Sequence, residues 1–206
     1  MLDFKYYSKE LLKSYDCGSQ DLEKIKDEEL KLLSILYQKI GLESLKGHTH
    51  LDVGTCTGRY LKWAYDKGCR NIIGLDKSAD SIYFCKKNIL FKTTLLHGCC
   101  TNKTSYDGIG PIDSCTVMFG TINHLNKIEL GQFISILEEK MSLGCILVIS
   151  FWRKPPEGLG IYNNLDAKYL CEQSNYLNFK QINLSGFNLL HIEHTNYLTL
   201  NLFQKA

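Results

Sequence analysis

The sequence has little proline and no long apolar run, and both absences limit what the chain can be. It contains three prolines in 206 residues, and no Pro-, Gly- or Ser-rich linker divides it. A chain of this length fits one domain with a full hydrophobic core. No apolar run approaches about 20 residues, which excludes a transmembrane helix. The first stretch, MLDFKYYSKELLKSYD, lacks the apolar core of a secretory signal. We therefore predict a single domain over residues 1–206, in the cytoplasm and without a membrane partner.

Blocks of one charge are also missing. The 24 basic and 22 acidic residues give a net charge of +2, and neither sign forms a long run. Nucleic-acid-binding surfaces need clustered Lys and Arg, so we expect no nucleic-acid partner. The nine cysteines include no Cys-x-x-Cys pair, so no zinc site or redox motif is indicated and no metal is expected. Several cysteines lie in apolar runs, where a reduced thiol packs as a small hydrophobic side chain.

The order of apolar patterns indicates an α/β fold. Residues 8–46 carry apolar positions at helical spacing, which predicts two helices ahead of the first strand. From residue 48, short apolar runs without polar alternation are separated by amphipathic stretches. Strands of that kind, joined by helices, are typical of a parallel sheet covered on both faces. The predicted strands are HTHLDV, NIIGLD, TTLLHG, IDSCTVMF and CILVISFW, and the predicted helices among them cover 58–67, 79–90 and 127–141.

The end of the chain departs from this pattern. After a predicted helix near 166–174, the runs FNLLHIEH and YLTLNLFQ are separated only by Thr195 and Asn196. A parallel crossover needs a dozen or more residues, so two strands this close in sequence pair antiparallel as a hairpin. The prediction is therefore a mostly parallel sheet of seven strands that ends in an antiparallel hairpin.

The loop after the first predicted strand carries the clearest binding pattern, in the segment THLDVGTCTGRYL. Ligands of open α/β sheets bind beyond the carboxyl ends of the strands. Gly54 permits a tight turn and Gly58 lets a helix start close to the sheet. The spacing fits neither a dinucleotide fingerprint nor a P-loop. Asp52, two residues before Gly54, suits a cationic ligand better than a pyrophosphate. Asp76 ends the second strand, where an acid usually accepts the ribose hydroxyls. A nucleoside with a cationic tail, such as S-adenosylmethionine, matches both acids.

Residues 48–206 resemble the class I S-adenosylmethionine-dependent methyltransferases. The resemblance rests on LDVGTCTGRYL, IIGLDKS, IDSCTVMFGTINHL and the terminal hairpin. It implies a Rossmann-like core over residues 47–206, an N-terminal helical cap or lid over residues 1–46, S-adenosylmethionine as cofactor and S-adenosylhomocysteine as product. It also implies a cofactor site formed by Asp52, Gly54, Thr55, Gly58, Tyr60, Asp76, Lys77, Cys99, Cys100, Met118 and Phe119.

Two positions depart from the family's pattern. The family's loop reads D-x-G-x-G-x-G, and Cys56 stands in place of the middle glycine. We expect its side chain to crowd the ligand slightly, and a reactive thiol is the alternative. After the third strand the family often places an acid on the adenine amine, where this chain has Cys99 and Cys100. Their backbone substitutes for that acid, or both are ordinary strand-end residues.

The segment MFGTINHL borders the cofactor and the acceptor in the family that the chain resembles. His124 is the candidate general base, with a pKa near its ordinary value, and the alternative is that it only packs or caps the following helix. The segment lacks the Asn/Asp-Pro-Pro-Tyr/Phe run of enzymes that methylate DNA bases or glutamine amides. The predicted substrate-binding residues are Tyr7 and Tyr15 from the N-terminal helices, Asn123, Trp152 and Arg153.

These residues predict a methyltransferase that acts on an oxygen or nitrogen of a small molecule. A protein side chain is the alternative acceptor. A second alternative is a non-catalytic partner subunit that binds S-adenosylmethionine, and other chemistry on the same cofactor also stays open. The oligomeric state is not indicated by the sequence.

Overall fold

A computed structural model describes Leu12, residues 20–153 and residues 184–206 of the chain. The first predicted helix, apart from Leu12, and the predicted helix near 166–174 lie outside the described residues. Within the described residues, two 3₁₀ helices cover Lys103–Tyr106 and Thr121–His124. The main elements are α1 (Gln20–Lys39), β1 (Thr49–Val53), α2 (Arg59–Asp66), β2 (Asn71–Asp76), α3 (Ala79–Asn88), β3 (Thr94–His97), β4 (Ile112–Val117), α4 (Lys127–Lys140), β5 (Met141–Trp152), β6 (Phe187–His194) and β7 (Leu198–Lys205).

The strands form one seven-stranded sheet in the order β3-β2-β1-β4-β5-β7-β6. The first five pair in parallel, and β7 runs antiparallel to both β5 and β6. The predicted mostly parallel sheet with a C-terminal hairpin is therefore confirmed, although β5 begins at Met141, four residues before its predicted start. The strand order reverses between β1 and β4, so the loops after these two strands border the crevice where such sheets bind ligands.

Two apolar layers hold helices against opposite faces of the sheet. Leu147 and Ile149 of β5 face the layer that includes Phe133 of α4. Ile146 and Val148, the alternating residues, face the layer built on α1 and α2. Each such side chain contributes about 1.5–3 kcal/mol when fully buried. The prediction of helices on both faces is confirmed, and no helix within residues 20–153 and 184–206 is long and apolar enough to cross a bilayer.

Local signals explain where the helices near the crevice begin. The Asn126 side chain accepts from the N–H groups of Ile128 and Glu129, and the Glu129 carboxylate accepts from Asn126 N, which closes a capping box at α4. The Ser78 side chain caps α3. The N-cap of α2 is Gly58, which has no side chain to bond the first N–H groups of the helix.

The turn after β4 is tightly constrained. Phe119 and Gly120 both have left-handed backbone conformations, with φ of 51° and 73°. The indole of Trp152 lies directly against Gly120, so a Cβ at that glycine would overlap the indole Cδ1 and Nε1. The Phe119 and Trp152 rings meet edge to face with centroids 5.0 Å apart. The close approach of the indole and the positive φ both require glycine at position 120.

We expect Gly120→Ala and Gly131→Ala to change stability in opposite directions. Gly120→Ala should lower the free energy of unfolding by about 2 kcal/mol or more, because it adds backbone strain and a steric overlap. Gly131 lies inside α4, where a Cβ would meet nothing within 4 Å. Gly131→Ala should therefore raise stability by about 0.5–1 kcal/mol through helix propensity. Urea unfolding of both variants measures the difference, and equal effects would contradict this account of the turn.

Candidate active site

The loop after β1 has three residues in the left-handed conformation. The φ angles of Gly54, Cys56 and Gly58 are 75°, 46° and 85°. Glycine adopts this conformation freely, whereas a cysteine there costs of order 1–3 kcal/mol. The departure at Cys56 thus strains the backbone. Burial raises the pKa of the Cys56 thiol well above its ordinary value, which leaves it protonated at neutral pH. A reactive thiol at Cys56 therefore has no support from its surroundings.

Asp52 lies behind this loop with only 1% of its surface exposed. Its Oδ2 accepts from Thr55 Oγ1 at 2.7 Å and its Oδ1 from Thr116 Oγ1 at 2.8 Å. Burial raises the pKa of Asp52 to about 7, and the nearby charges of Asp76 and Glu29 add to the rise. Asp52 is thus a buried carboxyl group close to half-protonated at neutral pH.

A buried polar chain continues from Asp52 into the sheet. Thr116 Oγ1 lies 3.2 Å from His50 Nε2, and His50 Nδ1 lies 2.8 Å from Ser114 Oγ. Because the Thr116 hydroxyl donates its proton to Asp52, His50 must donate from Nε2 and accept at Nδ1. Burial lowers the pKa of His50 to about 3, so the imidazole is neutral. His50 therefore acts as a fixed dipole behind Asp52.

Asp76 joins the ends of β1 and β2. Its two oxygens accept from Cys56 N and Ser78 N, each at 2.8 Å. A carboxylate has about four acceptor positions, so two remain for ligand hydroxyls. Burial raises the pKa of Asp76, although both N–H donors oppose the rise. The neighbouring Lys77 has an exposed side chain, and its carbonyl lies 3.0 Å from His97 Nε2.

The predicted adenine end carries two half-buried thiols, Cys99 and Cys100. A hydrogen bond from the Cys100 thiol lowers the pKa of Cys99 to about 5, and Thr101 Oγ1 adds a contact at 3.1 Å. The same hydrogen bond raises the pKa of Cys100 well above its ordinary value. Cys99 is therefore a thiolate at neutral pH. Among the described residues, no group of three or more His, Cys, Asp or Glu side chains is arranged to hold a metal ion.

The loops after β1 and β4 touch each other. A Cβ at Gly54 would overlap Thr121 Oγ1, so the glycine permits the contact. Thr121 Oγ1 donates to Met118 O at 2.8 Å, and this bond shapes the turn that follows β4. The side chains of Met118 and Phe119 are both buried beside this contact. The structure thus brings together residues from both loops that the sequence assigned to cofactor binding.

Glu29 of α1 is a further polar residue at the site that the sequence did not single out. Its side chain is fully buried, and it accepts hydrogen bonds from the Tyr60 hydroxyl, the Ser150 hydroxyl and Phe119 N, the last at 2.9 Å. A signal for it exists in the sequence. Glu29 lies four residues from both Ile25 and Leu33, on the apolar stripe of α1. An acid at a stripe position indicates a buried polar contact.

The predicted acceptor residues have varied surroundings. The His124 side chain is half-buried, and burial lowers its pKa to about 4, not the ordinary value expected from the sequence. Asn123 is fully buried, and its Oδ1 accepts from Trp152 N at 3.0 Å. Trp152 is also fully buried. Arg153 is exposed and donates to Thr195 O at 3.3 Å, near the hairpin turn. The remaining two predicted residues, Tyr7 and Tyr15, lie outside the described residues.

We expect iodoacetamide at pH 7 to alkylate Cys99 much faster than Cys56, because only Cys99 is a thiolate there. The rate at Cys99 should rise with pH around a midpoint near 5. Peptide mass mapping after short exposures measures both rates, and Cys99→Ser is the control that removes the fast phase. Equal rates at the two cysteines would refute the assigned ionisation.

No family model and no curated protein sequence matches the chain. Solved structures do match. The PH0226 protein from Pyrococcus horikoshii superposes with a TM-score of 0.65, at 16% identity, over 97% of this chain and 100% of that one. A TehB-like S-adenosylmethionine-dependent methyltransferase from Corynebacterium glutamicum gives 0.55, at 14% identity, over 91% and 100%. The glycopeptide N-methyltransferase MtfA, complexed with S-adenosylhomocysteine, gives 0.59, at 12% identity, over 84% and 89%.

These identities are low, so the similarity speaks to the fold. The chain has the fold of the class I S-adenosylmethionine-dependent methyltransferases.

Proposed function

We propose that the protein is an S-adenosylmethionine-dependent methyltransferase. The observation that carries the proposal is the charge around the glycine loop. Three buried acids, Asp52, Asp76 and Glu29, surround it. Its basic neighbours Arg59 and Lys26 both pair with acids of α1: Arg59 bonds Glu23 at 2.8 Å and also Asp27, and Lys26 bonds Glu23 at 2.7 Å. Buried carboxylates favour a nearby cation and disfavour a phosphate. A sulfonium nucleoside suits such a site.

Asp76 would hold the ribose hydroxyls at its free acceptor positions, and the loop from Gly54 to Gly58 would approach the methionine end. The Cys99–Cys100 segment would border the adenine. When bound, the cofactor supplies an electrophilic methyl group on a sulfonium. The protein then needs mainly to hold an acceptor atom in line with that methyl group, and positioning of this kind contributes about 7–11 kcal/mol.

The proposed acceptor is an oxygen or nitrogen of a small molecule. Matched structures differ in the acceptor that they name, since one is a glycopeptide N-methyltransferase and another is a putative rRNA-methylase. The fold therefore does not indicate which acceptor is used. The charge of the chain supports a small molecule over a polynucleotide. A net charge of +2 without basic runs offers little attraction to a polynucleotide.

His124 is the proposed proton acceptor, although its pKa of about 4 makes it a weak base. General bases work best when their pKa lies near the operating pH. We therefore assign most of the rate enhancement to positioning and a smaller part to His124. The same low pKa favours a second candidate function, a partner subunit that binds the cofactor but lacks an acceptor site.

We expect Asp76→Ala and His124→Ala to separate binding from turnover. Asp76→Ala should raise the Kd for S-adenosylmethionine about 100-fold, because it removes charge-assisted hydrogen bonds to the ribose. His124→Ala should leave that Kd within about threefold and slow turnover by about 10²-fold or more. Calorimetric titration gives the affinities, and Asp66→Ala, an exposed acid, is the matched control. Similar losses of affinity in the two variants would contradict the roles assigned here.

We also expect cofactor binding to release a proton near pH 7. The free protein holds Asp52 at a pKa of about 7, with Asp76 and Glu29 as the charged groups around it. A bound cation favours the ionised carboxylate, so affinity should rise with pH through 7 and level off above about 8. His50 and His124, with pKa values of about 3 and 4, stay neutral in this range.

Titrations in phosphate and in Tris at pH 7 measure this proton, because the two buffers differ in ionisation enthalpy. The observed heats should differ for the wild-type protein and agree for Asp52→Asn. Identical wild-type heats in both buffers would show that Asp52 does not titrate on binding.

A further inference from the structure

Glu29 lies where three parts of the candidate site converge. Its Oε1 accepts from Phe119 N and from the Ser150 hydroxyl, and its Oε2 accepts from the Tyr60 hydroxyl. Tyr60 belongs to α2, which follows the glycine loop, whereas Phe119 begins the turn after β4 and Ser150 lies in β5. One carboxylate from α1 therefore connects the helix after the glycine loop, the turn after β4 and strand β5.

The turn that Glu29 contacts is held in a conformation that it would not adopt alone. Phe119 has a φ of 51°, which is rare for a residue with a bulky side chain. Glu29 bonds its N–H from one side, and the indole of Trp152 packs against Gly120 from the other. Thr121, which follows Gly120 in the chain, packs against Gly54 of the glycine loop. A shift of this turn would therefore move Thr121, against which the glycine loop packs.

The hydrogen bonds indicate an acceptor role for both oxygens of Glu29. Three donors meet them, a set that an ionised carboxylate satisfies completely. Burial raises the pKa of Glu29, and the three hydrogen-bond donors oppose the rise, as does the charge of Arg59, whose guanidinium bonds Glu23 and Asp27. Packing alone would favour an apolar residue at a fully buried helix position, because a buried charge is costly to desolvate. The presence of an acid at this position points to a role in the site.

We propose that Glu29 is a positioning residue, which holds the Phe119–Gly120 turn and Tyr60 in the arrangement that receives the cofactor. Helix α1 then contributes a positioning residue to the site in addition to packing over it. The consequence for S-adenosylmethionine rests on the function proposed above, whereas the hold on the turn does not depend on any ligand.

The effect of Glu29 on the Phe119–Gly120 turn is tested in the protein without cofactor, by NMR of the Phe119 amide. We measure hydrogen exchange of the Phe119 amide relative to that of the Leu147 amide in the core. In Glu29→Leu this relative rate should be at least about tenfold faster than in the wild type. In Glu29→Gln it should stay within about threefold, because the amide oxygen still accepts from Phe119 and the amide nitrogen donates to Tyr60. The Phe119 amide proton should shift upfield in Glu29→Gln, since the charge on its acceptor is lost. Glu28→Gln, an exposed neighbour on the same helix, should change neither quantity.

The effect on the cofactor is tested by titration with S-adenosylmethionine. Glu29→Gln should raise the Kd about tenfold at pH 8, and Glu28→Gln should not change it. The pH midpoint of binding should move lower in Glu29→Gln, because Asp52 loses one of its negative neighbours. A purely structural role for Glu29 would leave this midpoint in place once Glu29→Gln preserves the packing.

The outcomes separate the two proposals. A wild-type protein that does not bind S-adenosylmethionine overturns the proposed function, while the Phe119 amide still decides the role of Glu29. Wild-type amide exchange in a folded Glu29→Leu variant overturns the positioning role. If Glu29→Leu does not fold, Glu29→Gln decides: an upfield Phe119 amide proton supports the role, and a wild-type shift overturns it.

Discussion

Burial of carboxyl groups at the carboxyl ends of the parallel strands is the constraint on which this site depends. Asp52 is the last residue but one of β1, Asp76 ends β2, and Glu29 reaches the same end of the sheet from α1. Each carboxyl group accepts hydrogen bonds from hydroxyl or backbone donors, while burial raises its pKa. Such an arrangement costs stability in the empty protein and is offset when a cationic ligand arrives. The electrostatics of the crevice and its proposed ligand follow from this one feature.

Backbone strain is found at the same end of the sheet. Left-handed residues occur in the loop after β1 and in the turn after β4, including the non-glycine residues Cys56 and Phe119. Both of these donate their N–H to a buried carboxylate, Cys56 to Asp76 and Phe119 to Glu29. Charge-assisted hydrogen bonds of this kind are worth about 1.5–3 kcal/mol each, which is comparable to the cost of the strained conformation. The acids that form the proposed cation site therefore also supply the acceptors for the strained residues of its two loops.

The cysteines within the described residues also differ in their surroundings. Cys115 and Cys145 pack in the core, where burial raises the pKa of each thiol. Cys99 differs because its neighbour Cys100 donates a hydrogen bond to it at the end of the edge strand β3. A thiolate beside the proposed adenine position adds another negative group to an edge that already carries buried acids.

Much of the fold is encoded in local patterns. Unbroken apolar runs such as NIIGLD predicted the parallel strands, because a strand buried on both faces needs no polar alternation. The short link at Thr195 and Asn196 predicted the hairpin, because no crossover fits in that length. The acids at the ends of β1 and β2 were likewise visible, since their place relative to a strand and a glycine loop is a matter of spacing alone.

The remaining features are set by contacts between residues far apart in the chain. Glu29 meets Phe119 across 90 residues and Ser150 across 121, and no local pattern indicates that these groups meet. The ordinary pKa expected for His124 was wrong because burial, which the sequence did not indicate at this position, lowers it to about 4. The sequence by itself determined the order of the elements and the chemistry of the residues at the strand ends, because both are written in short-range periodicity. Only the tertiary structure decided which polar groups are buried, what they bond and how readily they ionise, because burial is a property of the packed chain.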